Sequence, residues 1–144
     1  MQNLIKISDA ASLGLHAMLF MAGAGNRLVS TREIAAHDRV SEAHLAKVLQ
    51  RLVKVGLVRS TRGPRGGFAL GVPADQITLK QIYEAIEGPM PETPGCCLFG
   101  TPVCGEHRCL FGGLLQSVSR QFREHMARTK LSEFIEESNE RKGN

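Results

Sequence analysis

The chain has 144 residues, of which 42% are hydrophobic and 22% charged, and its formal net charge is +4 at pH 7. This length and composition are those of one ordinary globular domain, which excludes a disordered or fibrous protein. The first apolar stretch, from Leu13 to Met21, is shorter than a membrane span of about 20 residues and lacks the basic flank of a signal peptide. We therefore expect a cytoplasmic protein with no membrane partner.

Three helices are predicted in the first third of the chain. Apolar residues at helical spacing predict the first over Ser8–Ala24. A capping-box pattern, with a hydroxyl residue three positions before Glu33, predicts a short second helix over Ser30–Ala36. The third helix begins at Ser41, carries apolar residues at i, i+3, i+4 and i+7, and is ended by Gly56.

A hairpin follows the third helix. Leu57–Thr61 and Phe68–Leu70 are predicted strands, joined by a turn rich in glycine over 62–67. Three helices followed by a hairpin is the order of a winged helix-turn-helix domain. The predicted fold class is therefore mainly α with a small β-hairpin.

The second half of the chain is predicted to be helical on both sides of a loop. A second capping-box pattern at Thr78 opens a helix that reaches Ile86. Residues 89–109 form a predicted loop rich in Pro, Gly and Cys. A loop of this length is unusual in a compact domain, so we expect it to have a functional role. A long helix over Leu110–Arg128 and a shorter one around Phe134 complete the chain.

This order predicts three parts: a DNA-binding domain over 1–88, a cysteine-rich loop over 89–109, and a dimerisation helix with its tail over 110–144. The long helix carries an apolar stripe for which the winged domain offers no obvious partner. A stripe of this size is rarely left exposed by a monomer, so a homodimer is expected. Its residues are Leu114, Leu115, Val118, Phe122 and Met126.

The positive charge is concentrated in the third helix and the hairpin. Between Arg39 and Arg65, seven basic residues face one acidic residue, which gives this segment a charge of +6. Such a segment suits an anionic partner, here double-stranded DNA. The early turns of a helix in the major groove reach base edges first, and later positions meet phosphates. The residues predicted to contact DNA are Ser41, His44, Lys47, Arg51, Arg62 and Arg65.

Several motifs resemble those of a known family. They are Ile7-Ser8, His16-Ala17-Met18-Leu19, Val40-Ser41, Gly56-Leu57-Val58, Arg62-Gly63-Pro64, Gly66-Gly67-Phe68, Ile77-Thr78-Leu79 and Ala85-Ile86-Glu87-Gly88. In these motifs the chain resembles the winged-helix regulators of the Rrf2 family, which include IscR, NsrR and RsrR. The resemblance implies a homodimer, crossed through its long helices, that represses or activates promoters at a pseudo-palindromic operator. It also implies that Arg62 enters the minor groove and that Lys47 reads the major groove.

All four cysteines lie in the loop, between Cys96 and Cys109. By the family resemblance, Cys97, Cys104 and Cys109 would hold an iron–sulfur cluster, of the two-iron or the four-iron type, that senses redox state, iron–sulfur status or nitric oxide. Thiolates are suited to such clusters because they are soft ligands. Cys96 is the additional thiol, either beside the cluster or as a resolving cysteine.

Two other chemistries fit the same cysteines. Reactive thiols without a metal would make a thiol-based regulator, and a structural zinc site would use three cysteines with His107. The identity of the fourth cluster ligand is also left open by the sequence. Gly112 stands at the position used by IscR-like proteins and cannot ligate, and Ser12 stands at the position that we align with the acidic ligand of NsrR-like and RsrR-like proteins. The other candidates are His107, His37, Asp38 and Asp9.

An enzyme is not expected. Gly23-Ala24-Gly25 has neither the preceding strand nor the following Lys-Ser/Thr of a phosphate-binding loop. A nucleophile pair of Cys104 with His107 would lack a third group to orient it. An alternative from a different functional class is a protein that binds a protein partner instead of DNA, either as a sensor of cysteine metabolism or as a cluster chaperone.

Overall fold

The computed structural model describes residues 7–92, 111 and 113–135. In these residues five helices and a two-stranded antiparallel sheet follow one another, with a short 3-10 turn at Ala74–Gln76. The elements are α1 (Asp9–Gly23), α2 (Thr31–Asp38), α3 (Glu42–Lys54), β1 (Val58–Thr61), β2 (Gly67–Leu70), α4 (Leu79–Glu87) and α5 (Leu114–Arg128). The predicted fold class, mainly helical with a small hairpin, is confirmed. No helix in the described part of the chain is long and apolar enough to cross a membrane.

A hydroxyl side chain caps each of the first four helices, because it accepts a hydrogen bond from a backbone amide of the first turn. The capping box predicted at Thr78 and Gln81 is complete. The one predicted at Ser30 is only half formed. Ser30 accepts from the Glu33 amide over 3.1 Å, but the Glu33 carboxylate binds the guanidinium of Arg27 instead of the amide of the cap residue.

The core lies around α1, which packs against α3 and α4. The apolar stripe of α3 faces this core, as its spacing predicted. Four of its residues, Leu45, Val48, Leu49 and Leu52, are buried, and Val53 at its end is half-buried. The largest side chains that are almost completely buried are Met18, Met21, Ile34, Leu45, Leu49, Leu52, Ile77 and Ile82. Burial of this set orients α3, so that its other face is turned to solvent.

The hairpin formed by β1 and β2 pairs Val58 with Leu70 and Thr61 with Gly67. It is tied to the connection between α1 and α2 by two hydrogen bonds. The amide of Val29 donates to the carbonyl oxygen of Phe68 over 2.9 Å, and the Phe68 amide donates to the Val29 carbonyl oxygen over 2.7 Å. We call the hairpin with its turn, residues 58–70, the wing.

The end of α5 returns to the first domain. Leu131 is 1% exposed and belongs to the same core as α1 and α3. Its amide donates to the carbonyl oxygen of Ile77 over 2.9 Å, and the Leu79 amide donates to that of Thr129 over 3.1 Å. Residues after α5 therefore complete the core of the winged domain.

This return corrects one expectation about α5. The stripe was expected to have no partner in its own chain, but Met126 is buried and the ring of Phe122 meets that of Tyr83 edge-on at 6.0 Å. Only the first half of the stripe is open, with Leu114 57% and Val118 38% exposed. Leu110, the predicted first residue of this helix, lies outside the described residues.

Candidate nucleic-acid interface

The outward face of α3 is polar from its first turn to its last. Ser41 caps the helix, and its hydroxyl accepts a hydrogen bond from the His44 amide over 3.4 Å. The hydroxyl hydrogen of Ser41 is left to donate elsewhere. Ser41, His44 and Lys47 are all exposed on the early turns, where the sequence predicted contacts to bases.

Arg62 and Arg65 lie on the turn of the wing, and both are exposed. The close approach of the wing to the α1–α2 connection depends on Gly67. A Cβ at this position would lie 2.7 Å from the carbonyl oxygen of Val29, and its φ of +154° is one that side-chain-bearing residues rarely adopt. The wing lies beside α3, with which it lines a common groove, and Arg62 and Arg65 on its turn extend the positive surface of that helix.

Arg51 is the exception among the predicted contacts. It is exposed on α3, but one of its N–H groups donates to the carbonyl oxygen of Ile86 over 2.9 Å. Ile86 lies in the last turn of α4. The side chain therefore joins α3 to the end of α4, and this bond uses one of its N–H donors.

Sequence reasoning missed Gln50. This residue is exposed on α3, three positions after Lys47 and four before Lys54, so the three share one face. It also lines a groove of about 360 Å³ between α3 and the wing. Helical spacing from Lys47 could have placed Gln50 on this exposed face, but beyond the first turns of α3 only the basic residues were considered.

One ion pair lies in the part of the chain that leads into α2. The guanidinium of Arg27 binds both carboxylate oxygens of Glu33, over 2.8 and 3.2 Å. The hydrogen bond from Arg27 is the largest cause that lowers the pKa of Glu33 below its usual range. The pair joins the α1–α2 connection to the first turn of α2, and so it helps to orient the helix that precedes α3.

The cysteines and His107 lie outside the described residues, but the ends of their segment are placed. The Met90 amide donates to a carboxylate oxygen of Glu84 over 2.9 Å, and the guanidinium of Arg123 donates to the carbonyl oxygen of Glu92. Residues 90 and 92, which precede the cysteine segment (93–110) in the sequence, therefore lie near α4 and α5. No group of three His, Cys, Asp or Glu side chains suited to a metal ion occurs within the described ranges.

The candidate fourth ligands fall into two places. The hydroxyl of Ser8 donates to Glu87, so Asp9, in the first turn of α1, lies near the end of α4 where the cysteine segment departs. His37 and Asp38 are at the end of α2, where the Nδ1 atom of the histidine lies 2.8 Å from a carboxylate oxygen of the aspartate. Ser12 lies one turn after Ser8 on α1.

Known proteins resemble the chain over most of its length. The family model described as "Rrf2: Iron-dependent Transcriptional regulator" matches residues 7–137. An HTH-type transcriptional regulator IscR of Cereibacter sphaeroides is 30% identical over 139 residues, with 91% of this chain and 87% of that protein covered. A protein of Aquifex aeolicus described as an HTH-type regulator is 42% identical over 77 residues, and the chain spans only 54% of that relative's length.

A solved structure shows the same fold. The structure of CymR, the global cysteine regulator of B. subtilis, superposes with a TM-score of 0.75 at 29% identity. The superposition covers 92% of this chain and 98% of that one.

Proposed function

Because the chain belongs to the Rrf2 family of DNA-binding transcriptional regulators, we propose that it acts as a homodimer that senses its signal through a cysteine-bound iron–sulfur cluster. The signal would be redox state, iron–sulfur status or nitric oxide, and the regulator would act in the cytoplasm. The observation that carries the DNA-binding part is the polar, exposed face of α3 beside a wing that bears Arg62 and Arg65.

We propose that α3 enters the major groove. Ser41, His44 and Lys47, on its early turns, would donate to base edges, and Arg62 on the wing would enter the neighbouring minor groove. Arg65 would contact the backbone. Arg51, which the sequence assigned to a phosphate, would act mainly through its hydrogen bond to Ile86.

The dimer would form through the first half of α5. Phe111, Leu114 and Val118 are exposed there, and a second copy of the chain would cover them. Two copies related by a two-fold axis would present two recognition helices. Their operator would be pseudo-palindromic, with half-sites about 34–36 Å apart, which is one turn of B-DNA.

Cys97, Cys104 and Cys109 would hold the cluster, since three thiolates within a short segment are a donor set suited to iron and sulfide. The cluster would be of the two-iron or the four-iron type, and it would supply a site that oxygen or nitric oxide can attack. Among the described candidates for the fourth ligand, the position of Asp9 near the end of α4 favours this residue over His37 and Asp38.

Protein purified without oxygen tests the cofactor directly. We expect a brown sample with visible absorption, and iron and sulfide in equal amounts by chemical analysis. The bands should bleach on exposure to nitric oxide or oxygen. A colourless sample that contains zinc, or no metal, would contradict the cluster.

A second candidate is a thiol-based regulator. It is favoured by the likeness to CymR, a cysteine regulator, and by the adjacent thiols Cys96 and Cys97. In that case the colourless protein should change its DNA affinity on mild oxidation, and a reductant should restore it. Replacement of the cysteines would abolish this response.

A further inference from the structure

The groove between α3 and the wing carries hydrogen-bond donors that the fold does not use. Its volume is about 360 Å³, and its lining residues are Gln50, Val53, Ser60, Thr61, Arg62, Gly67 and Phe68. Gln50 offers an amide, Ser60 and Thr61 offer hydroxyls, and Arg62 offers a guanidinium. These four side chains have no hydrogen-bond or ion-pair partner in the described part of the chain.

The walls of the groove are held in place. One wall is α3, whose inner face is fully buried, and the other is the wing, which is tied to Val29 through Phe68. Val53 and Phe68 are half-buried and contribute the apolar part of the lining. The donors are therefore carried by rigid elements, so a ligand would find them already positioned.

The charge of the groove selects an anion. No acidic side chain lines it, and Arg62 lies at its wing side. Lys54 follows Gln50 by one helical turn, and Arg59 precedes Ser60 on β1. A phosphate oxygen only accepts hydrogen bonds, which matches a set of side chains that can all donate.

The position of Gln50 along α3 argues for backbone rather than base contact. Gln50 is eight residues after Glu42, the first helical residue, which corresponds to about 12 Å along the helix axis. The N-terminal end of a recognition helix reaches base edges, whereas half to two-thirds of protein–DNA hydrogen bonds go to phosphate and sugar.

We propose that this groove seats one phosphodiester of a DNA strand that passes between α3 and the wing. The amide of Gln50 and the hydroxyl of Ser60 donate to its non-bridging oxygens, so Gln50 is a positioning residue that fixes how deeply α3 lies in the major groove. This inference rests on the DNA-binding role given above.

The test uses the full-length protein and two duplexes of unrelated sequence, one rich in A·T and one rich in G·C. Anisotropy titrations over a salt series give the affinity and its salt slope. Gln50→Ala should weaken binding to both duplexes by about three- to tenfold and leave the slope unchanged, because glutamine is neutral. Lys54→Ala should instead reduce the slope by about one.

Two further variants sharpen the result. Ser60→Ala should weaken binding in the same way as Gln50→Ala. The control is Gln116→Ala, which removes an exposed glutamine from α5 and should leave the DNA affinity unchanged. Thermal melting verifies that all variants are folded. If the unsubstituted protein binds neither duplex at low salt, the DNA-binding role itself fails. If it binds both and Gln50→Ala binds equally well, only the groove proposal is wrong.

The remaining outcomes separate other ligands. A loss confined to one duplex would make Gln50 a base reader and overturn the proposal. The side-chain NH₂ resonance of Gln50, followed by NMR, should shift with duplex DNA but not with inorganic phosphate at the same ionic strength. An equal shift with phosphate alone would make the groove a site for a free anion, which also overturns the proposal.

Discussion

The guanidinium of Arg51 donates to the carbonyl oxygen of Ile86 over 2.9 Å, which joins the recognition helix to the last turn of α4. The cysteine segment begins a few residues later along the chain. A change that moves the end of α4 would therefore reach α3 through this bond.

The Arg51 bond can be tested against a phosphate contact. Arg51→Ala should lower the free energy of unfolding by about 1 kcal/mol, because it removes a partly buried hydrogen bond from a charged donor. The salt slope of DNA binding should change little. Urea denaturation and a salt series measure the two effects. A variant of unchanged stability with a slope reduced by about one would place Arg51 on the DNA backbone instead.

Arg62→Ala should weaken operator binding more than Lys54→Ala does. The reason is that Arg62 is on the wing turn and can enter a groove, whereas Lys54 ends α3 and reaches only phosphate. We expect a cost of about 1–3 kcal/mol for Arg62→Ala, with relaxed sequence preference at one position. Competition between duplexes selected from a random pool measures both. If both variants lose the same affinity for every duplex, Arg62 and Lys54 do not have different roles.

The exposed half of the α5 stripe, proposed as the dimer surface, should allow dimerisation to be weakened without loss of the fold. Leu114→Asp and Val118→Asp place charges on the exposed half of the stripe and should weaken dimerisation by about 2–4 kcal/mol. The melting temperature of the monomer unit should stay near its original value, because neither residue is in the core. Gln116→Asp is the control, since it adds the same charge to another face of α5. Unchanged sedimentation of all three variants would exclude this surface.

The cysteine segment predicts unequal roles for its thiols. Cys104→Ala should abolish cluster binding, leave a folded dimer, and change operator affinity at least several-fold. Cys96→Ala should keep the visible absorption. If Cys96→Ala loses the cluster and Cys97→Ala retains it, the ligand assignment is displaced by one residue. Operator affinity of the Cys104 variant equal to that of the cluster-loaded protein would show that the segment is not the switch.

Local patterns located the elements well. Helix starts at Ser8, Ser41 and Thr78 were predictable because a cap depends on residues three positions away at most. The buried face of α3 was also predictable, because it depends on the spacing of apolar residues three and four positions apart. The wing was predicted from two short strands joined by a glycine-rich turn, and the structure places one of these glycines, Gly67, against the backbone of Val29.

Contacts between distant residues were not predictable. The capping box at Ser30 is only half formed because Arg27, in the preceding connection, binds the Glu33 carboxylate. The groove at Gln50 exists only once the wing folds back against α3. The stripe on α5 was interpreted as one surface, but the Tyr83 ring meets Phe122 and divides it. Each of these depends on tertiary placement, which spacing along the chain does not encode.

The burial of Leu131 has a consequence for how the cysteine segment can vary. Both ends of residues 93–110 are attached to one folded unit, through α4 on one side and α5 with Leu131 on the other. The entropic cost of joining two fixed ends grows only with the logarithm of the number of residues between them, so doubling that number costs about 0.6 kcal/mol. Insertions, deletions and new ligand spacings in this segment are therefore cheap for the fold. The sensing chemistry proposed for this segment can therefore change during evolution while the surface formed by α3 and the wing stays intact.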